Sequence, residues 1–492
     1  MQRLDVLLHG RLVGVVTEGN RGRVEFAYID DHLNSSSPTP LSVSIPLEPG
    51  PKNIEAWLDG LLADNDNVRH RWAADYKAES TKPVDLLATP VGRECAGAVQ
   101  ICRPETTSDL MSRAGILHPL TESGVARIIS NLRTDPSGWN RDRSQTAFSL
   151  GGAQTKTALR FDNGQWSLAA GSACTTHILK PAAARFPDLD IVEHLCQHAA
   201  RKLGLHAAGT ACVYFDDERI LVVTRFDREQ LPNGDWARIH QEDACQALAV
   251  PPHQKYQNDG GPTPSRVVSL IREHSSKPEN DVRRFLDAFV YNWLIVNTDA
   301  HAKNYGLLLD ADDVRFAPLY DLCSFIPYRI VDGEHLHLPK LKVAMKIGKD
   351  YTLNKTDRES AWLHVADQLD VSPLLVAERI DALADGLNTA FAEAVDTLPD
   401  RARAAPVVAE MIEAIAVRRV TGLDVARRLQ HSFPKPARQH QRLELSNEGG
   451  AADPSQGFEL SGECGRRNRT KSGFCKHPHP GRGGRCAAGH RH

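Results

Sequence analysis

Apolar and polar residues alternate at the start of the chain. Leu4-Asp5-Val6-Leu7-Leu8, Leu12-Val13-Gly14-Val15-Val16 and Val24-Glu25-Phe26 read as three short strands, with His9-Gly10 and Asn20-Arg21-Gly22 as turn residues between them. Residues 35–51, rich in Ser and Pro, read as loop. The period then lengthens: Ile54, Trp57, Leu58, Leu61 and Leu62 have helical spacing within 53–76. This mixed, strand-first module ends near Arg103, and we take 1–104 as a first domain.

Residues 104–117 read as a connector, followed by a helix over 121–132 with Thr121 as its N-cap. Strands, Gly turns and one helix alternate from 147 to about 226. Thr146-Ala147-Phe148 and Ala158-Leu159-Arg160-Phe161 look like strands on either side of a small-residue turn, and Thr176-His177-Ile178-Leu179-Lys180-Pro181 like a strand ending in Lys. A helix is expected over 190–203, with Glu193 in its first turn, and an apolar strand at Val222-Val223-Thr224. Residues 278–429 are mainly helical in pattern, interrupted by a hairpin at 305–320. Past about 434 the periodicity is lost, and 446–463 is polar and Gly-rich, as in a flexible linker. The order predicts an α+β, bilobal fold: a small β-rich lobe, then a larger helical one.

Composition narrows the class. A chain of 492 residues suffices for two or three domains, and 41% apolar with 25% charged residues is ordinary for a globular protein. A net charge of −3 does not announce a nucleic-acid binder. The N-terminus lacks the basic start and apolar run of a signal peptide. The longest apolar stretch, 289–296, is broken by Asn292 and too short to cross a bilayer. A cytoplasmic protein is the simplest expectation, so the ten cysteines are not expected in disulfides; seven sit in apolar contexts such as Cys196 and Cys212.

The strongest chemical signal is Thr298-Asp299-Ala300-His301-Ala302-Lys303-Asn304. It follows an apolar helix, 285–296, and precedes a hairpin that runs into Tyr320-Asp321. Protein kinases use the same order: a base Asp, a metal-binding Asn five positions on, and a metal-binding Asp after a hairpin. Asp299 would accept the proton of an attacking hydroxyl. Mg²⁺ prefers oxygen ligands, and Asn304 and Asp321 would supply them. A second signal is Ser149-Leu150-Gly151-Gly152-Ala153-Gln154-Thr155-Lys156-Thr157, whose small residues let backbone N–H groups approach phosphate oxygens. It is not a Walker A loop, because the Gly-Lys-Ser/Thr ending is missing. A third is Lys180 ahead of Glu193, the spacing of a strand lysine that pairs with phosphates and a helix glutamate. The strand ending at Thr224-Arg225-Phe226 suits a hinge that grips adenine through its backbone. Each motif alone has a bland alternative: a loop, a hairpin turn, a solvated lysine, a core strand.

At these residues the chain resembles the HipA family, toxin kinases of bacterial type II toxin–antitoxin systems. The resemblance spans about 1–430 and includes Ser149 to Lys156, Thr176 to Lys180, Arg225-Phe226-Asp227-Arg228, Gln241-Glu242-Asp243, Lys255-Tyr256, Asp259-Gly260-Gly261-Pro262, Thr298 to Asn304 and Tyr320-Asp321. Leu41-Ser42-Val43-Ser44-Ile45-Pro46-Leu47 also looks like the family's N-terminal module. The resemblance implies a Ser/Thr protein kinase of phosphatidylinositol-kinase-like fold that uses ATP and Mg²⁺. Its best-known target is glutamyl-tRNA synthetase, and its partner is a helix-turn-helix antitoxin, HipB, that binds operator DNA with it. By resemblance Asp299 is the proton acceptor, and Asn304 and Asp321 bind magnesium. ATP contacts fall to Gly151, Gly152, Ala153, Gln154, Thr155, Lys156, Lys180, Thr224, Arg225, Phe226, His301, Lys303, Asn304, Tyr320 and Asp321. Ser149 matches a serine that the family autophosphorylates. Two departures stand out: Thr224 replaces a common Glu, and the tail exceeds the usual family length. The resulting division is 1–104, then a kinase domain over 105–434 (ATP-binding part 146–230, helical catalytic part 231–434), then a flexible basic tail, 435–492.

The tail carries eight Lys/Arg and no Asp or Glu over 465–492. Cys464, Cys475, Cys486 and His490 form a Cys3His set that could close a zinc tetrahedron, although no CxxC pair is present. Two rivals to an active protein kinase remain at this point: a catalytically silent co-repressor that binds a HipB-like partner, and a small-molecule kinase. The complete set Lys180, Asp299, Asn304 and Asp321 disfavours the first, and the HipA-like N-terminal module disfavours the second.

Overall fold

The computed structural model describes residues 2–19, 22–112, 115–138, 147–182, 186–328, 330–331, 334–335 and 337–432. The tail from 435 on, with its expected zinc ligands, lies outside the described residues.

The opening alternation produces Gln2–Leu8, Arg11–Glu18 and Val24–Tyr28, joined by Lys52–Asn53 at one edge and Val99–Cys102 at the other in a five-stranded antiparallel sheet. Leu4, Val6 and Leu8 face one core, while Leu7 turns to the opposite face against Cys102 and Leu110. The helical pattern over 53–76 resolves into two helices, Glu55–Gly60 and Asp66–Tyr76, capped by Asn65. Trp57, Leu58, Leu61, Leu62 and Trp72 bury their side chains in the sheet's core. The break between these helices presents residues 61–64 to the rest of the chain.

A second antiparallel sheet has six strands in the order Thr210–Phe215, Glu218–Thr224, His177–Lys180, Thr157–Asp162, Gln165–Ala170 and Ile116–Leu120. The expected connector therefore contributes an edge strand. Helix Glu122–Thr134, with Thr121 accepting from Gly124 N as its cap, packs Val125 and Ile129 against Leu159, Leu179 and Ile220. Ala147-Phe148 is not a strand. Phe148 and Leu150 instead bury in the N-terminal core, so the segment leaves the sheet to cross onto that module.

The remainder is mainly helical: Pro278–Leu294, Glu359–Leu369, Pro373–Asp396 and Pro406–Ser432 enclose Phe285, Trp293, Trp362, Leu383, Phe391 and Met411. The expected hairpin is Gly306–Asp310 with Asp313–Phe316, extended to three strands by His240–Asp243. A further antiparallel pair, Lys342–Ile347 with Asp350–Thr352, interrupts the helices where the sequence reading expected none. The α+β, two-lobed expectation holds. Among the described residues no helix is long and apolar enough to cross a membrane.

Candidate active site

A cleft of about 780 Å³ lies between the six-stranded sheet and the helical part. Lys180 ends an inner strand of that sheet, and Glu193 lies on the following helix, Leu189–Lys202. The Lys180 Nζ donates to Glu193 Oε1 at 2.7 Å and also to Asp321 Oδ1. Burial opposes the charge on Lys180, but Asp321 and Glu193 outweigh it and raise its pKa. Burial likewise opposes ionisation of Asp321, yet Lys180 and Lys156 hold that carboxyl down at about 2. Asp321 adopts a left-handed φ of 54°, unfavourable for a residue with a Cβ and typical of functional positions.

The opposite wall begins where helix Pro278–Leu294 ends. Asn297 fixes the turn: its Nδ2 donates to Asn292 Oδ1 at 2.9 Å, and its Oδ1 accepts from Asp299 N at 3.1 Å. The Asp299 carboxylate accepts the Tyr256 hydroxyl. The Asp299 side chain keeps 53% of its surface open to the cleft, yet partial desolvation by the cleft walls raises its pKa, while the Tyr256 hydrogen bond and the Lys255 charge oppose that rise. Asn304 donates from Nδ2 to the Asp299 carbonyl at 2.9 Å, which leaves its amide oxygen without a hydrogen-bond partner among the described residues. Tyr320 donates to the Lys303 carbonyl at 2.6 Å and stacks on Phe226, with ring centroids 5.6 Å apart.

The glycine-rich segment is anchored to the N-terminal module. Ser149 is fully buried; its N donates to Glu94 O and its Oγ to Leu61 O, both at 2.7 Å. Asp64 N donates to Gly152 O at 3.0 Å. A Cβ on Gly151 would sit 3.1 Å from the Gly60 carbonyl and 3.4 Å from Lys303 Nζ, so a larger residue there would have to push the Gly60 carbonyl back by a few tenths of an ångström. Lys156 donates to Gly151 O at 2.6 Å, and burial lowers its pKa to about 8. Gly151, Gly152, Ala153, Gln154 and Lys156 line the cleft; Thr155 does not, and its hydroxyl donates to Pro136 O at 3.3 Å.

Thr224, Arg225 and Phe226 also line the cleft. Thr224 N is committed to Gly209 O at 2.8 Å and Arg225 N to Thr176 O at 3.0 Å, whereas Phe226 N has no partner among the described residues. The Arg225 guanidinium turns away into a buried ionic network. It meets Glu94 Oε1 at 3.1 Å and Asp227 Oδ2 at 2.7 Å; Arg228 and Arg238 reach Glu94 at 3.0 and 2.6 Å.

The sequence reading gave no role to Asp64, Glu94, Lys255 or Tyr256. Asp64 accepts from Lys303 Nζ at 2.7 Å and Lys255 Nζ at 2.8 Å. The Lys255-Tyr256 motif was a usable signal; nothing local marked Asp64 or Glu94, whose partners lie far away in sequence. Two buried polar atoms on the cleft wall, Gln154 Nε2 and His301 Nδ1, have no hydrogen-bond partner among the described residues. Such open polar groups on a cleft wall are available to a polar ligand or to water. Burial and the nearby Lys255 and Lys303 charges push the His301 pKa down to about 3, so its imidazole is neutral. Asn304 and Asp321 offer only oxygen ligands, which suits a hard cation such as Mg²⁺. Among the described residues no group of three or more His, Cys, Asp or Glu could hold a metal ion.

A model of the HipA N-terminal domain matches residues 4–102, and one of the HipA-like C-terminal domain matches 148–394. A protein of Sinorhizobium fredii named as a candidate kinase, Y4mE, is 35% identical over 81% of this chain and 93% of its own. The serine/threonine-protein kinase toxin HipA of Shewanella oneidensis is 28% identical over 73% of this chain and 82% of its own. A solved complex of Shewanella oneidensis HipA with HipB and operator DNA superposes with a TM-score of 0.70, at 24% identity, covering 86% of this chain and 97% of that one; it bears on the fold.

Proposed function

Because this chain belongs to the HipA family, whose named relatives include kinases, we propose that it is an ATP-dependent serine/threonine protein kinase. The observation that carries this reading is the Lys180 ammonium, bonded to both Glu193 and Asp321 on the wall facing Asp299. That set fits phosphoryl transfer, in which positioning and charge stabilisation dominate. Lys180, Lys156 and the 151–154 backbone hold the ATP phosphates, and Phe226 N–H with the Phe226–Tyr320 stack holds the adenine. Asp299 accepts the proton of the acceptor hydroxyl as its oxygen attacks the γ-phosphorus; the bond from that phosphorus to the β–γ bridging oxygen breaks, and ADP leaves with the electron pair. Asn304 and Asp321 would hold Mg²⁺, which supplies charge neutralisation at the β- and γ-phosphates. Ser149 is a site of autophosphorylation, which would place close to two negative charges where the loop now packs. The substrate is a cytoplasmic protein serine, in the family's manner on an aminoacyl-tRNA synthetase such as the glutamyl enzyme. A HipB-like helix-turn-helix antitoxin would be the partner, and operator DNA would be contacted mainly through it.

The test is incubation of the purified protein with labelled ATP and Mg²⁺, alone and with cell lysate, beside Asp299→Asn. Label on Ser149 or on a lysate protein, lost in the variant, is expected. No label anywhere refutes the reading; full activity in Asp321→Ala refutes the metal assignment.

A further inference from the structure

We infer that Asp64, on the N-terminal module, is a positioning residue for the nucleotide phosphates, acting through Lys303 and Lys255. This rests on the proposed nucleotide site. Both lysines line the cleft, whereas Asp64 stands behind them and does not. Its two carboxylate oxygens are divided: Oδ1 takes Lys303 Nζ at 2.7 Å and Oδ2 takes Lys255 Nζ at 2.8 Å. All three side chains are largely shielded, with 11%, 6% and 14% exposure for Asp64, Lys303 and Lys255. Two ammonium groups held on one carboxylate would repel each other and lose solvation without it. With it, they stay charged and point at one region of the cleft.

The same short segment also templates the opposite side of the phosphate region. Asp64 N donates to Gly152 O, Ala63 forms a parallel bridge to Gly152, and Leu61 O accepts the Ser149 hydroxyl. Residues 61–64 thus set the position of the glycine-rich segment and of two lysines at once. The break between helices Glu55–Gly60 and Asp66–Tyr76 is what frees these groups to do so. The N-terminal module thereby becomes a working part of the nucleotide site.

Titration calorimetry with ADP and with adenosine, both with Mg²⁺, tests this on the full chain. In Asp64→Asn, ADP affinity should fall at least about tenfold, as expected for loss of charge-assisted contacts. Adenosine affinity should change less than about twofold, because only the phosphates meet these lysines. Asp64→Glu should lie between wild type and Asp64→Asn, and Asp66→Asn, an exposed neighbour, should match wild type. Lys255→Met/Lys303→Met should show the same ADP-selective loss, and adding Asp64→Asn to it should cost little more. These two arms decide the matter if Asp64→Asn alone does not fold. Unchanged or tighter ADP binding, or equal losses for ADP and adenosine, overturns the inference. If the wild-type chain binds neither ligand, the nucleotide site itself is refuted.

Discussion

Glu94→Gln tests the buried network behind the hinge. Glu94 meets three guanidinium groups: Arg225 at 3.1 Å, Arg228 at 3.0 Å and Arg238 at 2.6 Å. The other carboxylate in the cluster is Asp227, bonded to Arg225 and Arg228. Glu94 is buried, and those arginines hold its carboxyl well below the ordinary range despite the burial. The Gln variant keeps the shape and leaves three buried cations against one anion. Removing one partner of a buried ion pair costs about 3–5 kcal/mol, because the remaining charges are left uncompensated. Urea unfolding followed by tryptophan fluorescence should show that loss as a lower midpoint, with the slope held constant. Adding Arg238→Met, which removes a cation that reaches Glu94 alone among the acids of the cluster, should recover part of it. A loss below about 1 kcal/mol, or strictly additive variants, would refute the reasoning.

Burial lowers the Lys156 pKa to about 8, so its charge is present below that pH and lost above it. ADP affinity should weaken as pH rises through about 8, and Lys156→Arg, which stays charged, should flatten the calorimetric profile. Ser149→Ala gives up one hydrogen bond to Leu61 O and should lower stability by about 1 kcal/mol while ADP still binds; Ser149→Asp buries a charge beside Leu61 O and should abolish binding. The Tyr256 hydrogen bond lowers the Asp299 pKa against burial. Tyr256→Phe should therefore move the acidic limb of the kinase pH–rate profile upward, and an unmoved limb would count against Asp299 as the base.

Much of the candidate site was legible because its parts are local in sequence. Asp299 and Asn304 share one turn, the hairpin returns the chain to Asp321, and Lys180 precedes the helix that carries Glu193. The strand and helix periods placed these elements within a few residues. What stayed hidden depends on contacts between distant segments. Asp64 meets Lys303 across 239 positions, and Glu94 meets Arg225 across 131. No local pattern distinguishes those acids from solvated ones. The same cause misled the reading at Ala147-Phe148: the spacing suits a strand, but Ser149 finds its hydrogen bonds on Glu94 and Leu61 rather than in the sheet. Arg225 lay in a recognised motif, yet two of its side-chain partners, the Glu94 carboxylate and the Cys95 carbonyl, come from the N-terminal module.

Ser149 has no exposed surface, and its hydroxyl is engaged with Leu61 O. No enzyme, including another copy of this chain, can transfer a phosphoryl group to it until the segment lifts away. If Ser149 is the autophosphorylation site proposed above, its modification rate is the chemical rate multiplied by the fraction of time the segment is open. Each 1.4 kcal/mol of closure slows that rate about tenfold. On that proposal the off-switch would behave as a clock: its delay would be written into how firmly residues 61–64 hold the loop, and any ligand that favours the closed segment would lengthen it.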